Sequence, residues 1–116
     1  MKKSIIFLTF LLFACNNAKE VVIQNIEETQ TLILVDKTMY PNHVKLQING
    51  RVEGQVDITV SATLNTLNAE VHDTLMGDID TLIRGGDWYK DTIFVQLKPL
   101  TATKGQLKFN YSIWSF

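Results

Sequence analysis

Aspartates are concentrated between His72 and Asp91, and two of them, Asp78 and Asp80, flank a single apolar residue. On a β-strand both carboxylates would project from one face, because successive side chains alternate between the two faces. Oxygen-rich clusters of this kind can hold Ca²⁺, which takes about six to eight oxygen ligands. The spacing lacks the glycine and terminal glutamate of an EF-hand. The alternative interpretation is that aspartate opens strands and caps turns here, and that its charge keeps sheet edges apart.

An aromatic pair, Trp88 and Tyr89, follows Asp87 in the same stretch. Neighbouring residues of a strand point to opposite faces, so we expect one ring in the core and the other at least partly exposed. An exposed aromatic ring beside carboxylates can stack on a sugar. Asp87, Trp88 and Tyr89 are therefore predicted as a candidate glycan-binding site, and the alternative is that the tryptophan closes one end of the core.

Nucleophilic catalysis requires a base next to the nucleophile, and the chain has only two histidines, His43 and His72. A set could be assembled from Ser61, His72 and an aspartate, but nothing in their spacing selects it. No glycine-rich phosphate loop is present, because Gly85-Gly86 is followed by Asp87 and the lysine is missing. The sequence predicts a protein that is not an enzyme and that needs no cofactor, calcium aside.

The chain has 116 residues, of which 46% are hydrophobic and 20% charged, with a formal net charge of -1. This length allows one domain, and this apolar fraction is not typical of a disordered chain. Near-balanced charge argues against nucleic acid as a partner, because phosphate binding needs a dense basic face. A single cysteine excludes a disulfide framework and a zinc site built from several cysteines.

The amino-terminal segment carries Lys2 and Lys3 before an apolar run, residues 5–14, that only Thr9 interrupts. Ten helical residues reach about 15 Å, half the thickness of a bilayer core of about 30 Å, so the run predicts a signal peptide rather than a membrane span. The sequence Leu12-Phe13-Ala14-Cys15 that ends it resembles the lipobox of bacterial lipoproteins.

This resemblance covers residues 1–15 and implies a lipid on Cys15. In that family the cysteine thiol receives a diacylglyceryl group, the signal is removed before it, and the new amino terminus is often acylated too. Several acyl chains anchor a protein firmly, whereas one chain alone is marginal. The resemblance therefore implies a signal peptide at 1–14, a lipidated cysteine and short tether at 15–20, and a domain at 21–116, located in the bacterial cell envelope. The expected anchor is the outer membrane, with the domain facing the periplasm or the cell surface.

Alternation of apolar and polar residues with period 2 dominates the rest of the chain. Asn49-Gly50 predicts a hairpin turn between two alternating runs, Pro41-Asn42 and Gly85-Gly86-Asp87 predict further breaks, and residues 64–76 allow one short helix. We expect an all-β fold, a single small antiparallel β-sandwich of about seven or eight strands. The apolar positions that should form its core include the following: Ile33, Val35, Val44, Leu46, Ile48, Val56, Ile58, Val60, Ala62, Leu64, Ile93, Val95, Leu97, Leu107, Phe109, Tyr111 and Ile113.

Together these features predict a non-enzymatic lipoprotein, held at the membrane by its lipid, that binds another envelope protein. In size, signal and β pattern the chain resembles small exported lipoproteins of unassigned role, a likeness that assigns no functional residues. The alternative hypothesis is a ligand-binding module for a glycan or Ca²⁺ that uses the region from Asp73 to Asp91.

Overall fold

The structure is a computed structural model that describes residues 19–63 and 71–115. Its fold is all-β, as predicted, and every strand pairing is antiparallel. The six strands are β1 (Glu20–Ile23), β2 (Gln30–Val35), β3 (His43–Ser61), β4 (Val71–Gly86), β5 (Thr92–Pro99) and β6 (Lys104–Trp114). No helix occurs in these ranges, and so none there is long and apolar enough to cross a membrane.

The long strand β3 corrects the predicted turn at Asn49-Gly50, because it passes through these residues without reversing. Gly50 pairs with Ile79 of β4 on one side and with Leu107 of β6 on the other. Its φ is +151°, and a Cβ there would overlap the backbone carbonyl of Gln106. Glycine is therefore required for a close approach between strands rather than for a turn.

The sheet is organised around the long strand β3, which pairs with other strands on both sides. Along one side of β3 lies β4; along the other side β6 pairs with the first part of β3 and β5 with the last part. A bulge after Val52 separates the two parts, and β1 and β2 complete the order β1-β6-β3-β5-β2. The described residues thus form six strands in one curled sheet, where two packed sheets of seven or eight strands were expected. One strand replaces the predicted hairpin, which lowers the count.

The core lies inside the curl and is built from alternate residues of the strands. The predicted inward faces of β3, β5 and β6 are correct, and Ile58, Val95 and Phe109 are almost completely buried. The prediction for β2 is wrong, because Leu34 is buried while Ile33 and Val35 lie on the outer face. Residues 71–76, which allowed a helix, belong to β4, and residues 64–70 lie outside the described residues.

Candidate functional site

Two connecting loops meet at one end of the sheet: residues 36–42 between β2 and β3, and residues 87–91 between β4 and β5. We call this region the loop end. The Trp88 amide donates to the Asn42 carbonyl at 3.3 Å, and the Asn42 amide donates to the Trp114 carbonyl at 3.0 Å. The rings of Trp114 and His43 stack with their centroids 5.5 Å apart. These contacts fix both loops to the ends of β3 and β6.

Trp88 and Tyr89 point in opposite directions at the loop end. Trp88 is 5% exposed, and its Nε1–H donates to the Thr92 carbonyl at 3.2 Å, so its ring fills the end of the core. Tyr89 is 67% exposed. Of the predicted pair, Tyr89 is therefore the ring that a ligand can contact, and Trp88 is the ring that holds the loop.

Asp87 acts on Tyr89 directly. The Tyr89 hydroxyl donates to Asp87 Oδ1 at 2.8 Å. This hydrogen bond, with the negative charge of the carboxylate, raises the pKa of Tyr89 above its usual value. The phenol therefore stays neutral as a hydrogen-bond donor, with its ring open to solvent.

Two further side chains of the loop end, Met39 and Tyr40, are exposed and were not predicted from the sequence. Tyr40 is 83% exposed, and with Pro41, Asn42 and Tyr89 it lines an open depression. Tyr40 and Asp87 are the two described non-glycine residues with positive φ, +53° and +59°. Such a backbone costs about 1–3 kcal/mol at each residue, and it persists only where the surroundings impose it. The available signal was the aromatic residue directly before the predicted break at Pro41-Asn42.

The predicted cation ligands Asp78 and Asp80 lie on the outer face of β4. Asp78 is paired with Arg51, whose Nη1 is 2.7 Å from its Oδ1. Asp80 accepts hydrogen bonds from the amides of Gln47 and Asn49 at 2.8 and 3.1 Å. Within the described ranges, no three His, Cys, Asp or Glu side chains come together as a metal site. Side chains of β3 thus already engage both carboxylates, and calcium binding stays a prediction.

A second side-chain pair on the same two strands joins His72 to Asp57, with His72 Nε2 2.9 Å from Asp57 Oδ2. The hydrogen bond from His72 lowers the pKa of Asp57 below its usual value. Ser61, the serine of the catalytic set that the spacing did not select, donates its hydroxyl to the Thr63 carbonyl and is buried. His72 and Asp57 therefore have the geometry of a cross-strand hydrogen-bonded pair on the surface.

Three strands lie at sheet edges, and they differ in how the edge is protected. β4 carries charged residues at intervals and an irregularity at Gly77, while β1 is only four residues long and begins with Glu20. β2, with the sequence QTLILV, has no charge, proline or bulge. Its outward Ile33 is 60% exposed, beside Phe94 of β5 in the register. Among the described strands, β2 is therefore the edge least protected against pairing with another chain.

Cys15, the predicted lipidation site, lies outside the described residues. The domain's first described residue, Lys19, is fixed next to β6, because the Tyr111 amide donates to its carbonyl at 2.9 Å.

Comparisons of the chain with protein-family models, with curated proteins and with solved structures find no match.

Proposed function

We propose that this chain is a non-enzymatic lipoprotein of the bacterial cell envelope, anchored by a lipid on Cys15, and that its domain binds another envelope protein. The support for the anchor is the sequence Leu12-Phe13-Ala14-Cys15 after the apolar run. The observation that carries the binding role is the uncharged, unprotected edge of β2.

The chemistry of this edge favours an extended segment of another protein as the ligand. Alternate residues of an antiparallel edge strand point their N–H and C=O groups outward, where an added strand can pair with them. Ile33 offers an apolar contact on the outer face, while the buried Leu34 holds β2 in place. The Val35 carbonyl already accepts the Tyr111 hydroxyl at 3.3 Å, so the available part of the edge is residues 30–34. The partner segment should be uncharged and carry apolar residues at alternate positions.

In-cell photo-crosslinking of the full chain tests this proposal. A photoreactive amino acid replaces Ile33 in one variant and Leu82 in the other. Leu82 is a suitable control, because it is 46% exposed on the edge strand β4. We expect crosslinking to a single envelope protein, through an extended segment of it, from position 33 and not from position 82. Equal crosslinking from both positions, or crosslinking from position 33 only to a second copy of this chain, would overturn the proposal.

The alternative, a glycan- or calcium-binding module, has support from one observation at each site. For a glycan it is the exposed ring of Tyr89 with Asp87 beside it; for calcium it is the shared outer face of Asp78 and Asp80. A rise in melting temperature with millimolar Ca²⁺, lost in the double variant Asp78→Asn/Asp80→Asn, would support the calcium site. NMR signals of the Tyr89 ring that no envelope or host glycan shifts would remove the glycan site.

A further inference from the structure

We infer that the loop end is a membrane-docking surface, which rests on the lipid bilayer and sets the orientation of the anchored domain. This inference rests on the proposed lipid at Cys15. It adds a second contact with the membrane, made by the side chains of Met39, Tyr40 and Tyr89, to the contact that the lipid itself makes.

The chain enters the domain at the loop end. Lys19 Nζ lies 3.9 Å from Asp36, the first residue of the loop that carries Met39 and Tyr40. Asp36 in turn accepts a hydrogen bond from the Ile113 amide at 2.9 Å, and its own amide donates to the Asp91 carbonyl at 2.9 Å. Asp36 therefore connects the first described residue to both loops of the loop end and to β6.

The tether is too short for the domain to stand on the membrane with its other end. Four residue steps separate Cys15 from Lys19, and they span at most about 14 Å when fully extended. Lys19 lies beside Tyr111, and the seven residue steps of β6 from Tyr111 back to Lys104 span about 24 Å. The turn that contains Leu100 lies at that far end, where the Leu100 amide donates to the Gln55 carbonyl at 2.9 Å. A lipid on Cys15 thus keeps Lys19 and the loop end near the bilayer in every orientation, whereas the Leu100 turn is free to lie further away.

The side chains of the loop end suit the boundary between lipid headgroups and acyl chains. Tyr40 and Tyr89 each combine an apolar ring with a hydroxyl, the type of residue enriched at membrane interfaces, and Met39 is unbranched and apolar. Tyr40 is presented to solvent by a backbone of positive φ, and the loop that carries it is fixed by hydrogen bonds on both sides. Aromatic rings held outward in this way can enter the interface without first ordering a loop.

Positive and negative side chains balance at and beside the loop end, so its contact with a membrane is not mainly electrostatic. The two loops carry Lys37 and Lys90 against Asp36, Asp87 and Asp91, and the neighbouring Lys19, which is paired with Asp36, makes the numbers equal. Lys37 Nζ lies 4.0 Å from Asp91, and Lys19 is paired with Asp36. Attraction to anionic headgroups is therefore small, and contact of the aromatic and apolar side chains with the interface is what favours docking.

Fluorescence quenching by brominated lipids tests the inference on the full, lipidated chain. The protein is reconstituted in vesicles of phosphatidylethanolamine and phosphatidylglycerol that contain phosphatidylcholine brominated on its acyl chains. Tyr40→Trp places a reporter at the loop end, and Leu100→Trp places a matched reporter at the far end, where Leu100 is 50% exposed. The emission of the unmodified protein, which contains Trp88 and Trp114, is subtracted in both cases. Tyr89→Trp serves as a second loop-end reporter if Tyr40→Trp does not fold.

We expect the added emission at position 40 to fall about twofold or more, because interfacial side chains reach the headgroup–acyl boundary, and the emission at position 100 to stay unchanged. Equal quenching at the two positions, or no quenching at either, would overturn the docking surface. The intact mass of the protein distinguishes a failure of the proposed anchor from a failure of the docking surface alone. A chain without acyl groups on Cys15 would overturn the proposed anchor and this inference together, whereas an acylated chain without quenching at position 40 would overturn the inference alone. Response of the loop-end reporter to a soluble glycan but not to brominated lipid would also overturn it.

Discussion

Replacing Trp88 by alanine should destabilise the domain strongly, because this ring closes the core at the loop end. A buried tryptophan removes about 150–250 Å² from water, which at about 25 cal/mol per Å² corresponds to about 4–6 kcal/mol. Measured losses for such truncations are about 3–5 kcal/mol, because the surroundings relax partly. The hydrogen bond from Nε1 to the Thr92 carbonyl adds about 1 kcal/mol, which Trp88→Phe would remove together with part of the buried ring.

Urea unfolding followed by circular dichroism measures this effect, with Tyr89→Ala as the control. Tyr89 is the next residue in the chain, and its exposed ring should contribute less than about 0.5 kcal/mol. With a slope of about 1–2 kcal/mol per molar urea, Trp88→Ala should lower the midpoint by about 2 M or more. Equal midpoints for Trp88→Ala and Tyr89→Ala would refute the structural role of Trp88 and return it to the candidate ligand-binding surface.

Two further predictions concern the strand β3. Gly50→Ala should lower the free energy of unfolding by about 2 kcal/mol or more, because the new Cβ meets the Gln106 carbonyl. The control Gly85→Ala should change it by less than about 0.5 kcal/mol. Equal losses of stability for the two variants in thermal unfolding would contradict this. The pKa of Asp57, measured by carboxyl NMR, should lie below the ordinary value of about 3.9 and rise in His72→Ala. Because the pKa of Asp57 is lowered in the folded state, its contribution to stability should be present above the unfolded pKa and be lost as pH falls through the folded pKa; an Asp57 midpoint unchanged by His72→Ala would refute this.

The sequence predicted the faces of β3, β5 and β6 because each strand has strict alternation and one face in the core. Ile93, Val95 and Leu97 are separated by less buried residues, so the period alone identifies the inward positions. In β2 the run Leu32–Val35 is apolar at every position, and the period cannot decide which set is buried. The structure selects Leu34 and leaves Ile33 outside.

The turn predicted from Asn49-Gly50 does not form, because pairing with strands distant in sequence outweighs the local turn preference. Strands on both sides of Gly50 hold it in an extended ladder, and neither pairing can be read from the two residues themselves. The loop end was partly missed for the same reason. Asn42 and Trp88 are far apart in the chain, and only the folded sheet brings their loops together.

The expected division of the aromatic pair, with one ring in the core and the other exposed, is confirmed, and the structure shows which ring is which. Trp88 lies in the core, and the next residue, Tyr89, is exposed to solvent. Asp87, directly before them, has a positive φ of +59°. The exposed partner of Tyr89 comes from the other loop, at Tyr40, rather than from the neighbouring residue. Spacing in the sequence therefore identified one of the two exposed tyrosines of the loop end.

The lipid on Cys15 is the claim on which both the proposed function and the docking surface depend, and membrane fractionation of bacteria that produce the full chain tests it most directly. The unmodified chain should be found in the membrane fraction, with an intact mass that includes the diacylglyceryl group. Cys15→Ser should release the protein from that fraction, because no acyl chain then holds it. Persistence of Cys15→Ser in the membrane fraction, or an unmodified Cys15 in the native chain, would contradict the account.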